Sequence, residues 1–197
     1  MEITNTAAGF FAQEITPQVF ARINGVSYRE NPHITPAQLR HLTVLHTGFD
    51  GETHTGELIV NAEVADDVLA IFKALYENRY PIEQIRLIDD YGADDERSMT
   101  ANNSSAFCYR CIAHTATLSL HSLGLAVDIN PLYNPYLARG FVMPAAAKDY
   151  VDRSQDFPHK ITHDDLCFQL FAAHGWLWGG DWTDEKDYQH FYKPLVP

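Results

Sequence analysis

Cysteine is scarce in this chain: Cys108, Cys111 and Cys167 are the only three in 197 residues. Three thiols cannot build a disulfide-dense framework, and at least one must stay unpaired within the chain. Positive charge is short as well, with 14 Lys and Arg against 26 Asp and Glu, a formal net charge of −12. That balance repels phosphate backbones over most of the surface, so nucleic acid is not an expected partner. It suits a solubility role and a small cationic or zwitterionic substrate equally. No stretch approaches the roughly 18 to 20 consecutive apolar residues needed to cross a bilayer. The opening "MEITNTAAGFFAQEITPQVF" has no basic region leading into a long apolar one, so no signal peptide is visible; a trimmed mature form would look the same. Repeats, low-complexity tracts and linker-like Pro/Gly clusters are missing too, which predicts one domain over residues 1–197.

Among what is present, "EVADDVLAIFKALYENRYP" places Val64, Val68, Leu69, Ile71, Phe72, Leu75 and Tyr76 at near-helical spacing, and Pro81 follows. "DDLCFQLFAAHGW" predicts a second helix that starts near Asp164 or Asp165 and stops at Gly175. Strands are expected around Leu42–His46, over Glu57–Asn61, in "IEQIRLIDDY" and in the closing "DYQHFYKPLV", with "GADDERSMTANNSS" as a polar loop. Thr35 and Pro36 open either a helix or a short turn into the first of these strands. Residues 106–130 have a β-like pattern broken by Gly124. Strands and helices mix without βαβ alternation, which predicts an α+β fold with a small, mainly antiparallel sheet flanked by helices.

"CYRC", residues 108–111, invites a zinc or redox reading, but a second ligand pair is missing and an extended segment would turn the two thiols to opposite sides. A buried structural role is expected. "SLHSLGLAVDIN", residues 119–130, is more informative, because His121 and Asp128 lie seven positions apart in an otherwise apolar stretch. In one unbroken strand they would face opposite ways with Cα atoms roughly 23 Å apart. They can share an ion only if the chain turns between them, and Gly124 offers the permissive backbone. "DYQHF" supplies His190 as a third candidate ligand and Asp187 close by. Two imidazoles and one carboxylate suit a catalytic zinc that keeps its fourth position open for water.

The pattern Ser119-x-His121-x-x-Gly124-x-Ala126-x-Asp128, with Asp187-x-x-His190 downstream, resembles the zinc D-Ala-D-Ala carboxypeptidase and L-alanyl-D-glutamate peptidase family of bacterial cell-wall enzymes. "SMTANNSSAFCYR", "DINPLYNPY" and "GWLWGGDW" resemble its D-Ala-D-Ala carboxypeptidase-like branch, so the likeness covers about residues 42–192. Residues 1–41 are then expected as an N-terminal extension packed on the rest. The resemblance implies a hedgehog/D-Ala-D-Ala-peptidase-like fold with one Zn2+ in an open cleft, held by His121, Asp128 and His190. It implies Asp187 as the base that takes a proton from water and returns it to the leaving amine. Many family members have glutamate at that place, so Asp187 leaves carboxypeptidase and endopeptidase specificity both open. Arg110 is the candidate for stabilising the oxyanion or binding a substrate carboxylate.

For substrate contact the candidates are Ser119, which could also orient the metal site and could equally be an ordinary strand-edge serine, Asp181, which could equally end a turn, and Trp178 or Trp182 as a cleft wall. Trp176, Trp178 and Trp182 should include at least one core residue. His54, His114, His159, His163 and His174 are assigned no ligand role. The implied partner is a peptidoglycan stem peptide or fragment. The implied location is the periplasm or the extracellular space, with the cytoplasm open because no leader is visible. Two other readings stand beside the peptidase: a non-catalytic zinc module on the same scaffold, as in the amino-terminal domain of hedgehog proteins, and an acidic interaction protein with a coincidental His/Asp cluster.

Overall fold

The computed structural model describes residues 4–112, 115–138 and 140–194. Strands β1 (Thr4–Ala7), β2 (Phe10–Glu14), β3 (Leu39–Thr47) and β4 (Thr53–Asn61) form a four-stranded antiparallel sheet in chain order, with helix α1 (Pro17–Ile23) between β2 and β3. The long hairpin β3–β4 pairs Leu39 with Asn61 through to Thr47 with Thr53. Period-2 alternation sends Leu42, Val44, Leu58 and Val60 to one core cluster and Leu39 and Ile59 to another. The first cluster is closed by helix α2 (Ala65–Glu77), which buries Val68, Leu69, Ile71, Phe72 and Leu75 at the spacing the sequence shows. Residues 10–14 form β2 and pair with β3 in the main sheet.

Two short pieces follow, β5 (Gln84–Ile85) and helix α3 (Asp95–Thr100), before β6 (Asn103–Ser104) pairs with β5 in parallel. Both depart from expectation. The strand expected in "IEQIRLIDDY" stops after two residues, because the Asn103 side chain accepts the Arg86 N–H at 2.8 Å and the chain winds into a 3-10 turn at Ile88–Tyr91. The polar segment expected as a loop contains α3, which Asp94 caps by accepting the Arg97 N–H at 3.0 Å. Asp95 and Glu96 in its first turn suit the helix dipole.

Beyond α3 the strands are short: β7 (Ala126–Asp128), β8 (Tyr136–Ala138), β9 (Phe141–Met143), β10 (Leu177–Trp178), β11 (Lys186–Asp187) and β12 (His190–Tyr192). They build two three-stranded antiparallel sheets, β10-β12-β7 and β11-β8-β9. The expected closing strand is thus split at a turn, Tyr188–Gln189, into pieces of two different sheets. Helix α4 (Leu166–Ala173) starts at its Asp165 cap and ends before Gly175 in the left-handed region, φ +77°. Its Phe171 stacks on Phe191 of β12 at 4.2 Å, which joins the site strands to the main core cluster. The architecture is mixed α+β with small antiparallel sheets and few helices. Among the described residues no helix is long and apolar enough to cross a membrane.

Candidate metal centre

The three sequence-derived ligands meet. His121 sits on a 3-10 turn, Leu120–Leu123, and not on a strand; the Ser119 hydroxyl caps it by accepting the His121 N–H at 3.3 Å. Gly124 ends the turn at φ +68°, the break that the odd spacing of His121 and Asp128 required. There is no room there for a side chain, since a Cβ would lie 2.4 Å from the Asn61 nitrogen. That close approach lets Asn61, at the end of β4, donate to Gly124 O at 2.9 Å and to Leu123 O at 3.0 Å. The main sheet thereby fixes the histidine turn.

Asp128 ends β7 and pairs in register with His190, the first residue of β12, so two ligands are direct cross-strand neighbours. Residues 105–110 run beside them. Ser105 exchanges backbone bonds with Asp128, Cys108 N–H donates to His121 O, and Arg110 N–H donates to the Ser122 hydroxyl. The His121 Nδ1–H donates to Ala106 O, which fixes the tautomer and leaves Nε2 as a lone-pair donor for an ion.

Three side chains converge: His121 Nε2 lies 3.1 Å from Asp128 Oδ2 and 3.1 Å from His190 Nδ1, and His190 Nδ1 lies 3.0 Å from Asp128 Oδ1. A tetrahedral ion with bonds of about 2.0 to 2.1 Å sets its ligand atoms roughly 3.3 Å apart, close to these spacings. His121, Asp128 and His190 form a group that could hold a metal ion. Burial works against the Asp128 charge, but the two imidazoles outweigh it and hold the carboxyl well below the ordinary range.

These residues floor a cavity of about 280 Å³, whose lining also includes Arg110, Ser119, Trp182, Asp187 and Gln189. Asp187 Oδ1 is buried without a hydrogen-bond partner. Its backbone sits under Gly179, where a Cβ would be 2.7 Å from Asp187 O and 2.9 Å from Asp187 Cβ, so the first glycine of the "GG" in "GWLWGGDW" permits the approach. Burial pushes the Asp187 carboxyl up to about 7; His190 and Arg110 oppose the rise and Asp128 adds to it.

The two acids act on stability with opposite signs. Asp128, depressed in the folded state, stabilises above its unfolded pKa of about 3.9, and that contribution is lost as pH falls below it. Asp187, raised when folded, holds a proton that the unfolded chain releases between about pH 4 and 7, so stability declines as pH rises through that window. In the metal-free protein, Asp187→Asn should remove this decline. Urea midpoints at pH 5 and pH 7.5 check it; an undiminished decline in the variant would assign the effect to another group.

The other candidates divide. Arg110 lines the cavity but is already an ion pair, its Nε 2.7 Å from Asp95 Oδ2 without hydrogen-bond alignment. Burial disfavours its charge, but Asp95, Cys108, Asp128 and Asp187 together outweigh that and raise its pKa. Ser119 is buried and lines the cavity while capping the histidine turn. Trp182 stands 5.5 Å from the His190 ring and donates Nε1–H to Tyr192 Oη, forming a wall. Trp178 is core, packed on Phe168 and Phe191, and Trp176 is core with Phe171. Asp181 lies outside this cavity's lining, beside Trp182 and Glu185 in a neighbouring hollow, and pairs with exposed His163 at 2.8 Å. A buried role fits Cys108, whose thiol burial pushes up to about 12, but Cys111 is exposed. His114 lies outside the described residues.

Asp95, Glu185 and Gln189 are among the lining residues that escaped the sequence reading. Asp95 comes from the unforeseen α3, and no local signal marks it. Glu185 accepts the Tyr136 O–H at 2.7 Å across the β8–β11 pair. Gln189 is only 1 % exposed, beside a ligand in sequence, and its Oε1 has no partner.

The fold and the donor set define a mixed α+β protein with a His-Asp-His group able to hold a metal ion beside a buried carboxyl. A protein-family model described as D-alanyl-D-alanine carboxypeptidase matches residues 113–193, the stretch that carries all three ligands and Asp187. The match covers less than half of the chain and bears out the resemblance to the zinc D-Ala-D-Ala carboxypeptidase and L-alanyl-D-glutamate peptidase family. No curated protein and no solved structure matches the chain.

Proposed function

We propose that this chain is a zinc-dependent peptidase that hydrolyses peptidoglycan stem peptides at bonds involving D-amino acids. The observation that carries the reading is the convergence of three candidate ligand atoms beside a cavity that Asp187, with one buried carboxylate oxygen lacking a hydrogen-bond partner, also lines. A zinc-holding module without turnover has no use for that carboxyl, which is why the peptidase is preferred. The whole chain would act as one domain on a hedgehog/D-Ala-D-Ala-peptidase-like scaffold, working in the periplasm or outside the cell.

Zinc bound there would polarise a peptide carbonyl and lower the pKa of a water towards about 7. The residues of the chain do the rest. Asp187, with a pKa lifted towards neutrality, accepts a proton from the attacking water and gives it to the leaving amine. Arg110, steadied by Asp95, offers its guanidinium to the developing oxyanion or to a substrate carboxylate. Trp182 covers the peptide over the metal ligands, and Ser119 keeps His121 aimed.

Defined tri-, tetra- and pentapeptide stems, incubated with zinc-loaded protein with and without chelator and read by mass, test this. Release of terminal D-Ala identifies a carboxypeptidase, and loss of L-Ala from the stem an endopeptidase. A zinc-loaded protein that cleaves none of them refutes the enzyme and leaves the binding module.

A further inference from the structure

A second cavity, about 510 Å³, opens beside the β3–β4 hairpin, and two histidines line it. His46 and His54 are direct cross-strand partners in that hairpin. Each ring already commits one nitrogen. His46 Nδ1–H donates to Ile82 O at 2.8 Å, so the neutral ring keeps its lone pair on Nε2. His54 Nε2–H lies 3.0 and 2.9 Å from the two carboxylate oxygens of Asp50, which leaves the lone pair on Nδ1.

A backbone carbonyl behind one imidazole and a carboxylate behind another are the supports that metal-binding histidines use to set tautomer and orientation. The ring centroids are 5.4 Å apart, near the 4.9 Å between His121 and His190. Gly48 makes the arrangement possible, because a Cβ there would lie 2.5 Å from Asp50 Oδ1 and 2.7 Å from His54 Nε2.

The cavity wall does not repel a cation. Its arginines are neutralised, Arg22 by Glu57 and Asp90 at 2.8 Å each and Arg86 by Asp90 at 3.0 Å, while Glu83 adds a further negative charge. Among the described residues the His121 group is the one place where three ligand atoms gather, so here the protein offers two and water must complete the shell. We propose that His46 and His54 form a second site for a divalent first-row transition metal, separate from the His121/Asp128/His190 centre. Copper(II) is the strongest probe, since affinity for nitrogen sites rises along the series to copper.

The full chain, stripped with chelator and then loaded with one equivalent of Zn2+, should take up a further equivalent of Cu2+ whose electron paramagnetic resonance shows coupling to nitrogen. His54 is half-exposed, so His54→Gln should leave the circular dichroism spectrum unchanged while weakening this Cu2+ equivalent at least about tenfold. His46→Gln should do the same in any fraction that stays folded. An identical Cu2+ isotherm and spectrum in His54→Gln overturns the site, as does a wild-type protein that takes up no second equivalent. Neither result bears on the first centre, which is read separately as the Zn2+ retained before any Cu2+ is added; Zn2+ released on adding Cu2+ is counted as exchange there and subtracted from the second equivalent.

Discussion

Asp187→Asn is expected to lower kcat/KM on a cleaved stem peptide by about a hundred- to ten-thousand-fold, the range that positioned proton transfer contributes. Asparagine keeps the volume of the buried side chain but cannot accept a proton. The Asp187 carboxyl lines the cavity, ends in an oxygen without a partner, and is lifted by burial to about 7, near the pH at which a base works best. Zinc content should stay at one per chain, because His121, Asp128 and His190 are untouched. Kinetics on one defined peptide and metal analysis on the same preparation settle the matter. Equal activity in the variant removes Asp187 as the base; loss of zinc together with activity makes it a ligand or a support instead.

The second large effect is on stability. Gly124→Ala puts a side chain on a residue at φ +68°, which costs an L-residue about 1 to 2 kcal/mol. It also drives a Cβ to 2.4 Å from Asn61 N and 2.9 Å from Val60 C, backbone atoms that cannot swing aside. Overpacking of that kind costs about 1 to 3 kcal/mol more. The expected total is about 2 to 5 kcal/mol, read as a lower urea midpoint with an unchanged slope. Gly51→Ala is the internal control: its φ is +78° with nothing within 4 Å of the added carbon, so only the backbone component should appear. Zinc affinity should fall in Gly124→Ala and hold in Gly51→Ala, because only the first displaces the turn that carries His121. Equal losses in the two variants would mean that contact with β4 does not matter.

How far the chain could be read before folding depended on how local each signal was. Helix α2 was legible because five buried side chains repeat on one face, and α4 because Asp165 and Gly175 mark its ends. The candidate metal centre was legible because residues of the right chemistry recur in a recognisable order, and because odd spacing forbids His121 and Asp128 one plain strand. Helix α3 was not, since its face is polar and its start rests on one capping aspartate. The division of "DYQHFYKPLV" between two sheets depends on partners fifty or more residues away, β8 for one half and β7 for the other. Asp95 escaped because it reaches the cavity from α3, a helix that the sequence did not mark, and pairs there with Arg110. Trp178 and Trp182 carry the same chemistry four residues apart, and only packing on Phe168 and Phe191 assigns the first to the interior.

The pairing of Asp128 opposite His190 also bears on biosynthesis. The two lie 62 positions apart, and β12 has to thread between β7 and β10 before they meet. A nascent chain that has not yet released β12 from the ribosome therefore carries two ligands of three and no complete ion site. A slip of one residue in the β7–β12 register would turn one of the two ligands to the opposite face. Ion capture then favours the correct register over its neighbours, by mass action on the folded form alone. A bound ion would thus check the pairing of β12 against β7, strands whose facing ligand candidates lie 62 positions apart.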